Sequence, residues 1–215
     1  RYEFISLPTS SRPNQGTLVR LEDPKLTTGT TFMNNPSLKN FAPRFGFAWD
    51  VFGNQRTAVR GGFGLYHDQI STYYYLPVIQ SNPPMALTRT LAQASLANTP
   101  FPTAYAAIRS GTAPSAFSLQ LIDYNFKQPY RIQYNLGIQR EISQNMGFAV
   151  YYVGAHAVHS TQFTLNANSR IPTRRADGRL AFSATGPVRN PNFSVMQYRT
   201  AGGDSYYHGF QSVLN

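Results

Sequence analysis

Few residues of this sequence have the types and the spacing that catalysis or metal binding requires. His156 and His159 are three positions apart and could bind a metal from one face of a helix, but no third ligand follows them closely. Asp50, Asp68 and Glu141 could supply a glycosidase pair, yet no pattern brings two of them to the separation of about 5–10 Å that this chemistry needs. We therefore predict neither a metal site nor a catalytic pair of carboxylates.

Other catalytic motifs give no stronger signal. There is no G-x-S-x-G sequence, so a serine-hydrolase nucleophile is unsupported. The run Gly61–Gly64 lacks the G-x-G-x-x-G spacing and precedes no predicted helix, and in a strand such glycines allow bending or close approach of another backbone. The sequence contains no cysteine, which excludes thiolate metal sites and disulfide bonds. We predict that the chain is not an enzyme and uses no cofactor.

The elements that position these residues are two segments in which bulky apolar side chains alternate with small or polar ones. The first runs from Phe41 to Asp68 around a turn at Phe52–Gln55. The second runs from Tyr130 to Val153 around a turn at Ser143–Asn145. Because successive side chains of a strand point to opposite faces, each segment predicts an antiparallel β-hairpin with one apolar face.

The chemical difference between the two faces favours a membrane strand over a soluble one. The second face of the first hairpin carries mainly Gly, Ala and Arg, which would make a poor solvated surface but a good lining for a polar lumen. Each limb has about 11 residues, and a tilted strand needs about 9–11 to cross a bilayer. We predict an all-β fold that is part of a large antiparallel transmembrane β-barrel. The residues predicted to face lipid are Phe45, Phe47, Trp49, Val59, Phe63, Ile132, Leu136, Ile138, Phe148 and Val150, and those predicted to face the lumen are Arg44, Asp50, Arg56, Arg60, Arg131, Gln133 and Asn135.

The polar lumen residues allow two interpretations, a rigid wall-to-wall hydrogen-bond network or a basic wall that guides an anionic solute or meets a plug. The strand register follows from the rule that directly opposed residues share a face. This rule predicts a lumen ion pair between Asp50 and Arg56. The full set of predicted pairs is Asp50 with Arg56, Phe47 with Val59, Phe45 with Gly61, Ile142 with Met146 and Ile138 with Val150.

The connections between strands alternate between long and short. The predicted long loops are residues 6–40, 69–128 and 156–204. One short turn lies between the first and second loops, and the other lies between the second and third. Outer-membrane barrels have short periplasmic turns and long extracellular loops, so we predict both turns at one end and all three loops at the other. Within the second loop, Ala86–Ala97 and Ala104–Arg109 could form short helices.

Composition and charge agree with a membrane strand protein but are weaker evidence. Of 215 residues, 13% are charged and 14% aromatic, and 19 Lys+Arg against 9 Asp+Glu give a net charge of +10. Nucleic-acid binding by stacking needs aromatic and basic groups on one face of a sheet. Tyr130 and Arg131 are consecutive in a predicted strand and so point to opposite faces, which argues against nucleic-acid binding. The predicted loop at 170–179 carries four arginines, which could be solvated or could meet lipopolysaccharide phosphates.

The ends of the sequence resemble interrupted strands. No signal peptide and no apolar run of about 20 residues is visible. We therefore expect the chain to be an internal piece of a longer protein, with about six strands, no plug domain and an open sheet whose apolar face is uncovered.

Four segments are similar to one family of large bacterial barrels. Asn40–Asp68 (NFAPRFGFAWDVFGNQRTAVRGGFGLYHD), Gln133–Glu141 (QYNLGIQRE), Val153–His159 and Tyr206–Asn215 resemble the TonB-dependent, Oar-like outer-membrane receptors. Tyr134 and Phe63 are small departures from the usual residues of that family. The resemblance implies a barrel of about 22 strands with an internal plug, energised by the inner-membrane TonB complex and located in the bacterial outer membrane. It does not identify the transported ligand.

The sequence is therefore compatible with three functions. The first is ligand uptake through a plugged barrel, and the second is a soluble all-β domain that binds carbohydrate or a protein partner. The third is a surface or adhesion barrel that transports nothing. A single sheet with an exposed apolar band would favour a barrel, whereas two sheets packed through those residues would favour the soluble domain.

Overall fold

One seven-stranded sheet dominates the structure, a computed structural model that describes residues 2, 15–29, 33–83, 86, 89–91, 102–110 and 115–215. The helices are α1 (Thr72–Ser81), α2 (Thr103–Ser110) and a short 3₁₀ helix at Pro36–Lys39. The strands are β1 (Gln15–Thr17), β2 (Thr27–Gly29), β3 (Arg44–Asp50), β4 (Thr57–His67), β5 (Arg89–Leu91), β6 (Ser115–Ile122), β7 (Tyr130–Ser143), β8 (Met146–Thr164), β9 (Thr173–Arg174), β10 (Leu180–Ala181) and β11 (Phe193–Leu214).

The sheet has the strand order β3-β4-β7-β8-β11-β6-β5. The five strands from β3 to β11 pair antiparallel with their neighbours, whereas β6 lies parallel to the first part of β11. Two small ribbons, β1-β2 and β9-β10, lie outside this sheet. The predicted all-β, mainly antiparallel open sheet is therefore confirmed.

The short turns and the long connections lie at opposite ends of the sheet. The turns at 51–56 and 144–145 join β3 to β4 and β7 to β8, and because these strands are antiparallel both turns lie at one end, the turn end. The connections at 68–129 and 165–192 lie at the other end, the loop end, as predicted. The chain before β3 also lies there, since the Phe41 carbonyl contacts His67 Nε2 at 3.2 Å. Residues 6–14 and 30–32 of the first predicted loop lie outside the described residues.

The predicted register of the first hairpin is wrong by two residues. Asp50 opposes Ala58 and not Arg56, so the predicted ion pair does not form across the strands. The Asp50 carboxylate instead accepts hydrogen bonds from the backbone N–H groups of Gly53 at 3.1 Å and Gln55 at 2.8 Å, which stabilises a turn wider than predicted. Because the shift is an even number of residues, every side chain keeps its predicted face. Phe45 therefore opposes Phe63, Phe47 opposes Gly61 and Trp49 opposes Val59.

The second hairpin follows the predicted register except beside its turn. Ile138 opposes Val150, as predicted. Met146, however, opposes Ser143, and a bulge between Glu141 and Ser143 removes Ile142 from the ladder. The predicted Ile142–Met146 pair is therefore wrong, because the two-residue turn at 144–145 closes the hairpin one residue later than expected.

Aromatic rings cover glycines on the neighbouring strand at three directly opposed positions. At each of these glycines an added Cβ would come within 2.2–2.5 Å of the ring, closer than van der Waals contact permits. Glycine at these positions leaves room for the ring to lie across the neighbouring strand, and a side chain there would have to displace the ring. The three pairs are Phe47 over Gly61, Tyr151 over Gly137 and Tyr134 over Gly154.

Gly137→Ala should lower the free energy of unfolding by about 1–2 kcal/mol, because the new methyl group overlaps the Tyr151 ring. Urea titration of the protein folded into lipid vesicles would measure this change. Gly147→Ala is the matched control, since the nearest atom to its added Cβ is the Arg140 carbonyl oxygen at 3.9 Å. In a Tyr151→Ala background the Gly137 substitution should become nearly neutral, and an unchanged cost there would contradict the steric explanation.

The long connections contain more regular structure than predicted. Helix α2 confirms the short helix expected at Ala104–Arg109. Most of the other expected helix, Ala86–Ala97, lies outside the described residues, which in this segment are Ala86 and Arg89–Leu91. Arg89–Leu91 is a strand, so a helix there is wrong. Helix α1 begins after Ser71, whose side chain accepts the Tyr73 N–H, and contains Pro77. The third loop is shorter than predicted, since β8 continues to Thr164 and β11 begins at Phe193.

Apolar residues become buried mainly at the loop end. One cluster joins α1 to β6 and β11, and a second packs β6 and β11 against residues 18–26. Among the described residues, no helix is both long and apolar enough to span a bilayer. The first cluster comprises Ile70, Val78, Ile122, Phe126 and Ala201, and the second Leu18, Leu119, Leu121, Phe193 and Met196.

Candidate functional site: the two faces of the sheet and its loop end

Every residue predicted to face lipid lies on one face of the sheet, called the apolar face below. The strand pairing connects them, since Trp49 opposes Val59, Val59 opposes Ile138 and Ile138 opposes Val150. No second sheet covers this face in the described part of the chain, and large side chains on it stay exposed. The exposed fraction is 66% for Phe45, 59% for Trp49, 50% for Leu136 and 53% for Ile138. The two-sheet architecture that the soluble alternative requires is therefore not the one found.

The opposite face, called the polar face, carries most of the residues predicted to line a lumen. The strand pairing puts five of them on this face: Arg44, Arg60, Arg131, Gln133 and Asn135. The Arg44 guanidinium carbon lies 4.2 Å from the centre of the Tyr66 ring, and Gln139 donates a hydrogen bond to the Tyr151 hydroxyl. Both the cation–π contact and this hydrogen bond join side chains that are neighbours on the polar face.

Two predicted lumen residues have turn contacts instead. Asp50 holds its carboxylate against the N–H groups of the first turn, as described above. Arg56 lies in that turn, before β4 begins, and its carbonyl accepts the Glu141 N–H at 2.8 Å. Asp50 and Asp68 lie at opposite ends of β4, so the sheet does not bring them together as a catalytic pair.

Histidine and tyrosine rings form a band on the apolar face toward the loop end, a feature that the sequence analysis did not predict. His156 stacks on Tyr206 with ring centres 4.0 Å apart, and its Nε2 lies 4.0 Å from the Asp204 carboxylate. The Tyr152 hydroxyl lies 2.7 Å from His208 Nδ1. Since β-pairing places His156 and Tyr206 opposite each other, cross-strand alignment of the two aromatic segments would have revealed the band.

His156 and His159 are not brought together as metal ligands. His159 has a left-handed backbone with φ of 56° and makes an edge contact with Tyr130, with ring centres 5.8 Å apart. Nowhere in the described residues do three His, Cys, Asp or Glu side chains gather into a possible metal site.

Two buried asparagines organise the connection between β8 and β11. Asn168 donates from Nδ2 to the carbonyls of Asn190 and Phe193, each at 2.8 Å, and to Ser194 at 3.0 Å, and its Oδ1 accepts the Asn190 N–H at 2.7 Å. Asn190 in turn donates to the carbonyls of Leu21 at 2.9 Å and Asp23 at 2.8 Å. These bonds tie the loop at 165–192 to the chain near β1 and β2, which gives the loop end a defined shape.

Burial perturbs two ionisable groups in this loop-end region, beyond the band of exposed apolar side chains. Burial raises the pKa of Tyr198 to about 12, and Asp123 acts in the same direction. Burial lowers the pKa of Arg199, whose Nη1 donates to the Gln120 side chain at 3.0 Å. The Arg199 guanidinium carbon also lies 4.7 Å from the centre of the Phe163 ring.

Among the hollows along the described residues, one lies on the polar face and another at the loop end. On the polar face a hollow of about 430 Å³ is lined by groups including Arg131, Gln133, Asn135 and Tyr207. At the loop end a hollow of about 550 Å³ lies between the 3₁₀ helix, the end of β4 and residues 124–130.

Comparison with proteins of curated function found no match. Among solved structures, the siderophore receptor PirA from Acinetobacter baumannii is 11% identical, with a TM-score of 0.42 over 81% of this chain and 20% of that chain. The siderophore receptor PirA from Pseudomonas aeruginosa is 13% identical, with a TM-score of 0.38 over 80% of this chain and 24% of that chain. This chain thus spans about a fifth to a quarter of the length of these receptors.

The family model described as outer membrane beta barrel domain matches residues 1–215. The chain therefore belongs to the outer membrane beta barrel domain family and is a protein of the bacterial outer membrane.

Proposed function

We propose that this chain forms part of the barrel wall of a TonB-dependent receptor that takes up a ligand through a plugged pore. The observation that carries the proposal is a single sheet with one uncovered apolar face and one polar, glycine-rich face. The motif-bearing segments Asn40–Asp68 and Gln133–Glu141, which resemble the Oar-like receptors, form the adjacent strands β3, β4 and β7.

The proposed orientation places lipid against the apolar face and the lumen against the polar face. Every residue predicted to face lipid, including Phe47 and Ile138, then contacts hydrocarbon, where an exposed aromatic or aliphatic side chain is stable. Arg44, Arg60 and Arg131 contact water in the lumen, which avoids the cost of placing a cation in the bilayer.

In the proposed mechanism, the loop end faces the outside and makes the first contact with the ligand. Hydrogen bonds of Asn168 and Asn190 hold part of this end in one arrangement, so a binding surface there is preorganised. The guanidinium and amide groups around the hollow on the polar face then provide a wettable path beside the plug. Movement of the plug by the inner-membrane TonB complex opens the path.

Cysteine accessibility tests the orientation, and the chain offers a clean background because it contains no cysteine. Single substitutions at Phe47 and Ile138 should react slowly with a membrane-impermeant thiol reagent in intact outer membranes. The matched substitutions at Ala48 and Gln139, one residue along on the polar face, should react at least about tenfold faster, since thiolate chemistry needs water. Equal labelling of the two sets, or the reverse order, would show that the faces are assigned wrongly.

Uptake in cells tests the transport function. Cells that make the intact protein, with or without inner-membrane TonB, receive iron chelates or oligosaccharides as the sole iron or carbon source. Growth on at least one compound should require both the protein and TonB, and Arg131→Ala combined with Gln133→Ala should slow uptake at an unchanged amount of protein in the membrane. Uptake that persists without TonB, or binding without uptake, would instead support a pore or an adhesion barrel.

A further inference from the structure

The connection between β8 and β11 contains a β-ribbon at residues 170–188, called the basic ribbon below. Pairing of Arg170 with Val188 closes its base, and β9 and β10 pair nearer the tip. At the tip Gly178, which has a left-handed backbone with φ of 83°, donates its N–H to the Arg175 carbonyl at 2.9 Å. Among the described residues no other strand pairs with β9 or β10. The basic ribbon is therefore an ordered hairpin separate from the main sheet.

Hydrogen bonds hold the basic ribbon in one arrangement before any partner binds. The Ile171 N–H donates to the Pro187 carbonyl at 2.8 Å, and Arg174 Nη1 donates to the Gly178 carbonyl at 3.1 Å. Just outside the base, the buried asparagine network described above joins the two limbs. A surface that is ordered in advance loses less conformational entropy on binding. The basic ribbon is therefore suited to recognise a partner that matches its surface.

The positive charge of the basic ribbon comes entirely from arginine. Four arginines against a single aspartate give residues 170–188 a net charge of +3, and the segment contains no lysine. Arg174, Arg175 and Arg179 are exposed, and the Asp177 carboxylate lies 3.9 Å from Arg179 Nε. That one carboxylate leaves most of the positive charge uncompensated within the ribbon. Because a guanidinium presents parallel donors that match a carboxylate or a phosphate, the arginines favour an anionic partner.

Exposed apolar side chains lie among these arginines. The exposed fraction is 50% for Ile171, 56% for Leu180 and 69% for Phe182. Leu180 is directly opposed to Arg174, so the two side chains share one face of the ribbon. Arginine beside aromatic and aliphatic groups, without lysine, is the composition typical of protein–protein contacts. A polyanionic polysaccharide would bind the arginines but leave Leu180 and Phe182 in water.

Charge disfavours a second copy of this chain as the partner. The whole sequence has 19 Lys+Arg against 9 Asp+Glu, a net charge of +10, so two copies repel each other. We propose that the basic ribbon binds an acidic patch on a different protein outside the cell. Carboxylates of the partner contact the arginines, and apolar side chains of the partner contact Leu180 and Phe182. The proposal requires only that the loop end faces the outside, so a failure to observe uptake leaves it intact.

Peptide binding to the intact protein in phosphatidylcholine nanodiscs tests the proposal, with fluorescence anisotropy as the readout. The first probe is a labelled peptide composed of Glu and Leu, and the second probe has Ser in place of every Leu. We expect Arg174→Gln/Arg175→Gln to bind the Glu/Leu peptide about tenfold more weakly than the unmodified protein does. Leu180→Ser/Phe182→Ser should weaken binding of that peptide by a similar factor and leave binding of the Glu/Ser peptide unchanged.

The matched control Arg20→Gln/Lys25→Gln removes two exposed cations from another segment at the loop end. It should bind both peptides as the unmodified protein does. The side chains substituted in the three variants are all exposed, so each variant should fold like the unmodified protein.

Three results would overturn the proposal. Absence of saturable binding of the Glu/Leu peptide at about millimolar concentration would show that the basic ribbon does not recognise acidic, apolar chains. Equal losses of binding in the arginine variant and in the control would assign binding to the general charge of the loop end. Tight binding of heparin, together with no effect of Leu180→Ser/Phe182→Ser on either peptide, would show that a polysaccharide and not a protein is the partner.

Discussion

Leu136→Arg should be strongly destabilising, by about 2–4 kcal/mol, because it places a cation at mid-height on the apolar face. Leu136 lies in the middle of β7, opposite Gly61 on one side and Tyr152 on the other, and half of its side chain is exposed. The expected cost arises from transfer of a guanidinium into hydrocarbon and not from lost packing within the protein. Urea titration in lipid vesicles of defined thickness would measure it.

The neighbouring substitution Asn135→Arg is the matched control, since it adds the same side chain one residue away on the polar face. It should change the free energy of unfolding by less than about 1 kcal/mol, because lumen positions contact water. The cost of Leu136→Arg should also rise in thicker bilayers, where the charge is farther from the headgroups. Similar costs for both substitutions would contradict the proposed placement of lipid.

Asn168→Ala is the second substitution with a large expected effect, a loss of about 3 kcal/mol. It removes one buried amide that makes four hydrogen bonds and leaves the carbonyls of Asn190, Phe193 and Ser194 without this donor. Because the contacts lie in the connection between β8 and β11, the loss should be concentrated there. Hydrogen exchange should increase across residues 165–192, and the central strands should remain protected.

Asn192→Ala is the control for this experiment, since Asn192 is exposed and its side-chain Nδ2 donates to the Asn190 side chain at 3.1 Å. It should cost less than about 0.5 kcal/mol. If Asn168→Ala instead increased exchange in β4 and β7, the loop and the sheet would unfold as one unit, and the local role assigned to Asn168 would be wrong.

The faces of the sheet could be predicted from sequence because alternation with a period of two is a property of single strands. Phe45, Phe47 and Trp49 occupy one face whatever strand lies beside them. Register depends in addition on the exact length of the turn. The Asp50 hydrogen bonds and the bulge at Ile142 each make the register differ from the predicted one, and neither is visible in a hydrophobic pattern.

Structure within the long connections was harder to predict, for two different reasons. Phe117, Leu119 and Leu121 do alternate along β6, so that strand could have been recognised among the surrounding prolines. The paired roles of Asn168 and Asn190 could not have been recognised, because the two residues are 22 positions apart and asparagine is common in loops of every kind. Contacts of this type are set by tertiary packing.

The parallel pairing of β6 with β11 limits what can be built beside it. From Phe193 to Arg199 the outer hydrogen-bonding edge of β11 is already occupied. A further wall strand on that side can pair only with the part of β11 between Arg199 and Leu214, and it must stop or turn away at Ile122, where β6 ends. A wall strand added at this edge would therefore be shorter than β8, which pairs with β11 on its other side up to Tyr198.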